Sequence, residues 1–135
     1  SFTLDTVAPE ILAVILPAAG NYAVGATLSI RVQFSKPVHV NPYVGPNIES
    51  IRATKLPGID IWLGANKRRA VYASGSGTTE LVFSYKLVSA DRGLLLSQVA
   101  NEIALVAGSW ITDAAGNAAK RTFTVPGTLP VVRVI

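Results

Sequence analysis

From residue 27 to residue 35 apolar and polar side chains alternate without a break. Leu28, Ile30, Val32 and Phe34 fall on one side, and Ser29, Arg31, Gln33 and Ser35 on the other. A period of two sends successive side chains to opposite faces of an extended chain, so a strand is predicted with one face on a core and one in water. Residues 79–88 repeat the pattern, with Leu81, Phe83, Tyr85 and Leu87 opposed to Glu80, Ser84 and Lys86, and Val82 the exception. Shorter runs rich in β-branched residues predict strands at 11–16, 59–63, 69–74, 102–107, 110–111 and 121–125. Apolar residues nowhere recur with a sustained 3.6-residue period, so no long helix is expected.

Eleven glycines and eight prolines punctuate these runs, which is the rhythm of an all-β sandwich. Turns are predicted at 17–21, 64–66, 75–77, 89–93 and 113–117. Pro37 should interrupt the strand that begins at Thr27 and leave 38–40 as a short edge piece. Residues 41–57 carry Pro42, Pro46 and Pro57 and read as a long connection with some strand near 48–53. Residues 94–96 read either as a short strand or as one helical turn, and 97–101 as a brief coil.

Composition narrows the function classes. A chain of 135 residues, half of them hydrophobic and 15% charged, suits one domain with a real core and excludes disorder as the main state. Cysteine is absent and His39 is the single histidine. That excludes a disulfide framework and a thiolate metal site, and leaves almost no material for zinc or a Ser-His-Asp triad. No nucleophile elbow or phosphate-cradling glycine loop is present, so the expectation is a protein that is not an enzyme. His39 reads as a lone surface histidine on an edge strand. The longest apolar run, 11–19, is broken by Pro17 and falls short of the roughly 20 residues of a membrane helix, so no direct membrane insertion is expected. A start at serine and the absence of methionine suggest a segment cut from a longer protein. Pro9 and Pro130 each follow a threonine closely and each precede a β-branched run. The domain reading is therefore a linker over 1–8 and a sandwich over 9–126. Residues 127–135 are a linker, the start of a next repeat, or a final strand.

Twelve basic against eight acidic residues give a net charge of +4, which suits anionic surfaces but is modest for a nucleic-acid binder. With no aromatic-interleaved basic run and no basic helix, nucleic acid is not an expected partner. The basic residues cluster at Lys67-Arg68-Arg69 and Lys120-Arg121.

Several pieces in order carry a family resemblance. They are residues 4–9 (LDTVAP), 17–25 (PAAGNYAVG), 28–38 (LSIRVQFSKPV), 72–87 (YASGSGTTELVFSYKL) and 111–118 (ITDAAGNA). Together they resemble bacterial immunoglobulin-like and cadherin-like tandem repeats of large secreted surface proteins and adhesins. The resemblance implies an immunoglobulin-like Greek-key β-sandwich of about seven strands, strung in tandem at the cell surface, outside the cell. It implies a structural spacer or adhesive module whose partners are neighbouring repeats in the same chain. The chain departs from the pattern in the apparent insertion at 41–55, in keeping only Asp91 as an acid within 89–93, and in being basic.

Two sets of candidate site residues follow. In repeats of this kind calcium sits at domain junctions, and the positions that match as ligands are Asp5, Glu10, Asp91, Asp113 and Asn117, because calcium takes carboxylate and carbonyl oxygens. The plainer reading of the same residues is turn chemistry, in which Asp and Asn bond their own backbone. The alternative function is a ligand-binding module for an acidic glycan or a partner protein, using the 41–55 insertion, Tyr43, Trp62, Lys67, Arg68 and Arg69. If Ile61 and Leu63 point inward, the pleat turns Trp62 outward.

Overall fold

The computed structural model describes residues 6–41, 56–105 and 110–135. The fold is all-β, and the described residues form nine strands: β1 (Ile11–Ile15), β2 (Gly20–Tyr22), β3 (Thr27–Asn41), β4 (Gly58–Leu63), β5 (Asn66–Ser74), β6 (Thr78–Lys86), β7 (Leu96–Val99), β8 (Trp110–Thr112) and β9 (Val132–Val134). A single 3-10 turn at Ser89–Asp91 is the nearest approach to a helix among the described residues. The main sheet runs β1-β3-β6-β5-β4-β7 and curls into a half-barrel, with every pairing along it antiparallel. The strand β8 joins the second half of β3, and β2 and β9 form a separate parallel pair.

The alternating pattern decides the core. Leu28, Ile30, Val32 and Phe34 of β3 face Leu81 and Phe83 of β6, Ala70 and Tyr72 of β5, and Ile59, Ile61 and Leu63 of β4, all buried. Each of the large side chains removed from water contributes about 1.5–3 kcal/mol, which is what holds the curl closed. Tyr72 and Phe83 meet edge to face at 6.4 Å.

Five segments differ from the sequence-based expectation. Pro37 does not end a strand, because β3 runs through it. The register steps from Gln33 opposite Glu80 to Val38 opposite Thr78, and Pro37 lies in the resulting bulge, where no pairing to β6 calls for its missing N–H. Beyond the bulge β3 takes β8 as its neighbour, at His39, Val40 and Asn41. Within 17–21, β2 begins at Gly20, which donates to the Val131 carbonyl at 2.9 Å. Within the expected coil at 97–101, residues 97–99 instead belong to β7, because pairing with β4 buries Leu96 and Val99. Neither 121–125 nor the described part of the expected 102–107 strand, 102–105, forms a named strand; Thr122 meets Glu102, and Ala104 meets Gly58, through isolated bridges. The expected strand near 48–53 lies outside the described residues. Farther along, β9 sinks Val132 and Val134 completely into the core.

The path of β3 also shows where the chain enters and leaves. On the entry side, the Ser35 N–H donates to the Glu10 carbonyl at 2.8 Å. At the other end of the strand, Leu87 donates to Ala26, Gly93 donates to Val134 at 2.7 Å, and Ile135 donates to Tyr22 at 2.9 Å. Ser35 lies nine positions beyond Ala26, which corresponds to ~30 Å of extended chain. Entry and exit therefore lie at opposite ends of the half-barrel.

Candidate functional site

The outer face of β4 is built by its pleat. Ile59, Ile61 and Leu63 point inward, so Asp60 and Trp62 point away from the core. Register then sets Arg69 opposite Asp60, Lys67 opposite Trp62 on β5, and Gln98 opposite Trp62 on β7. Arg69 Nε donates to Asp60 Oδ1 at 2.9 Å, and Lys67 Nζ lies 3.5 Å from Asp60 Oδ2. The same ammonium stands 5.8 Å from the centre of the Trp62 ring. Burial opposes ionisation of Asp60, but Arg69 and Lys67 outweigh it and hold the carboxyl below its ordinary range.

Arg68 does not belong to this surface. Alternation along β5 puts it on the face of Ala70 and Tyr72, at the exit end of the core. There its Nε donates to Asp91 Oδ1 at 3.0 Å, while Asp91 Oδ2 accepts from the Tyr85 hydroxyl at 2.7 Å and the Val88 N–H at 3.0 Å. Asp91 is fully buried. Burial alone would raise its pKa, but the Val88 N–H, the Tyr85 hydroxyl and Arg68 together lower it. Burial, then Asp91 itself, pushes Tyr85 up to about 12.

At the entry end, Asp113 organises the 113–117 turn. Its Oδ1 accepts from the N–H groups of Ala115 at 3.0 Å and Asn117 at 2.8 Å, and its Oδ2 from Asn117 Nδ2 at 2.9 Å and Lys36 Nζ at 3.3 Å. The Asn117 side chain and N–H, helped by Lys36, lower the carboxyl from 3.8 to about 2. Glu10 binds Lys120 Nζ at 2.8 Å, which lowers its pKa as well.

The candidate cation ligands thus divide between the two ends. Glu10, Asp113 and Asn117 lie at the entry and Asp91 at the exit, and each of the three carboxylates has protein donors of its own. Asp5 lies outside the described residues, as do Tyr43 and residues 42–55 of the insertion. Among the described residues no three His, Asp or Glu side chains gather as a metal site. Of the ligand-binding set, the fold brings together Trp62, Lys67 and Arg69 and sends Arg68 elsewhere. His39 is exposed, on the half of β3 that pairs with β8. Sequence reasoning did not single out Lys36 or Tyr85. Both sit at inward positions of their strands, and an inward lysine or tyrosine next to a bulge or turn is the signal that marks them.

Comparison of the chain with protein-family models, with curated proteins and with solved structures found no match.

Proposed function

We propose that this protein is an immunoglobulin-like structural repeat, a spacer or adhesive module in an extracellular tandem array. The observation that carries the reading is the entry of the chain beside Ser35 and its exit beside Tyr22, at opposite ends of the half-barrel. A module built this way adds its whole length to an array, whereas one with both termini at one end would fold back on its neighbour. The strand order supports the Greek-key part of the proposal. Short turns join β4, β5 and β6 in sequence, and β3, which reaches β4 by a long connection, lies beside β6. The test is small-angle scattering of two copies joined head to tail. The expected result is a maximum dimension close to twice that of the single chain, and a compact pair would overturn the reading.

The rival reading, an acidic-glycan or protein-binding module, draws on Trp62 facing outward. Its charge complement is weaker than the sequence suggests, because Asp60 already engages Arg69 and Lys67 while Arg68 turns into the core. Titration with a sulfated oligosaccharide, followed by tryptophan emission, distinguishes the two readings. The spacer reading expects no change. A saturable change lost in Trp62→Ala would favour the binding module.

A further inference from the structure

The half-barrel is closed at each end by the same device, an inward-facing basic side chain on a strand paired with a carboxylate in a turn. Arg68 and Asp91 form it at the exit, and Lys36 and Asp113 at the entry. Lys36 has the strand parity of Phe34 and Val38, both buried, and lies in the bulge of β3, where its side chain is only partly exposed. Its ammonium donates to Asp113 Oδ2 at 3.3 Å and also to the backbone carbonyl of Val7. Val7 belongs to the segment that the sequence reads as linker, yet the chain from Val7 to Glu10 is fastened along its length. The Lys120 N–H donates to the Pro9 carbonyl at 2.9 Å, and the Glu10 N–H donates to Ser35 Oγ at 2.9 Å.

We infer that Lys36 is a positioning residue that acts as a built-in cation. It bridges the entry segment at Val7 to the Asp113 turn and so sets the direction in which the chain enters, without a metal ion. The Asp113 side chain is 3% exposed and that of Lys36 is 23% exposed. The pair is therefore far less screened by water and salt than a surface ion pair. A carbonyl and a carboxylate oxygen around one positive charge are the donor types a hard divalent ion would use, and here the ammonium already satisfies them. The inference rests on the spacer reading for its purpose, a joint of defined angle, but the clasp itself stands on these contacts alone.

The chain has no cysteine, so nitroxide labels at Thr6→Cys and Lys86→Cys report the distance between the entry segment and the far end of β6 with no background labelling. The parent should give a single narrow distance distribution by pulsed electron resonance, unchanged by calcium or by EDTA. Lys36→Arg should keep it narrow. Lys36→Met, or Lys36→Gln if the methionine variant does not fold, should broaden it roughly twofold as the segment is released, with the circular dichroism of the sheet intact. A neutral variant as narrow as the parent would overturn the inference, as would a parent distribution that is broad, or one that broadens on adding EDTA. None of these results alters the positions of entry and exit on β3, so the spacer reading stands or falls separately in the head-to-tail scattering experiment.

Discussion

Asp91 has the most at stake of the described side chains. A carboxylate taken fully out of water is tolerated only because Arg68, Tyr85 and the Val88 N–H meet both of its oxygens. Removing one partner leaves the charge buried and under-compensated, so Arg68→Ala should cost about 3 kcal/mol in urea unfolding, far more than the loss of an exposed arginine. Lys86→Ala, on an exposed position of β6, serves as the comparison and should fall within ~0.5 kcal/mol of the parent. The pH dependence has two limbs. Asp113 has its folded pKa lowered from 3.8 to about 2, so its contribution is complete above about pH 4 and is lost as the pH falls toward about 2. Asp60, Asp91 and Glu10 shift in the same direction and add to the acid limb. Tyr85 has its folded pKa raised from 10.0 to about 12, so its contribution is complete below about pH 10 and is lost as the pH climbs toward about 12. Melting temperature against pH should therefore be flat through neutrality and fall at both ends. Asp113→Ala should lower the plateau and flatten the acid limb, and Tyr85→Phe should flatten the alkaline one.

Among the elements, the β5–β6 connection shows how closely a turn can be specified. Gly75 has φ +111°, and a Cβ there would lie 2.1 Å from the Glu80 carbonyl oxygen, which is backbone and cannot swing away. Gly77 also has positive φ, at +92°, but the nearest atom to its Cβ position is the His39 ring at 3.8 Å. Gly75→Ala should thus cost upwards of about 2 kcal/mol and Gly77→Ala about 1 kcal/mol, since only the first adds a clash to the backbone strain. Equilibrium unfolding of the two variants gives the comparison directly. The pleat of β4 makes an equally sharp contrast. Ile61→Ala opens a hole in the core and should cost about 2–5 kcal/mol, whereas Trp62→Ala, one residue on and on the outer face, should cost less than Ile61→Ala.

For the whole molecule, the last strand decides how the half-barrel is finished. Val132 and Val134 are fully buried, and β9 holds β2 in the one parallel pairing among the named strands. A chain stopped after Pro130 should lose those two side chains and expose the apolar floor they cover. Its melting temperature should fall by at least ~10 °C, with increased binding of a hydrophobic dye. A truncated chain that melts with the parent would show that β9 merely rests on the surface.

The all-β class and the placing of most strands were legible in the sequence, because a two-residue period is a local property. Leu28, Ile30, Val32 and Phe34 announce their shared face whatever lies opposite, and Ile61 and Leu63 turn Trp62 outward wherever β4 sits. The candidate site was legible only in part for the complementary reason. Lys67, Arg68 and Arg69 are adjacent in the chain and look like one basic patch, but the same pleat that exposes Trp62 divides them between two faces. Nothing local marks Lys36 as the partner of an aspartate 77 residues away, nor Arg68 as the partner of Asp91. The weak segments β2, β7 and β9 lack alternation strong enough to specify a strand, and each exists because a neighbour supplies backbone partners and a place to bury its apolar residues. By itself the sequence determined the period, the faces and the turns, which depend on each residue and its immediate neighbours. Only the tertiary structure decided the pairings, the closing charges at each end and the opposed positions of entry and exit, because those depend on which distant segments meet.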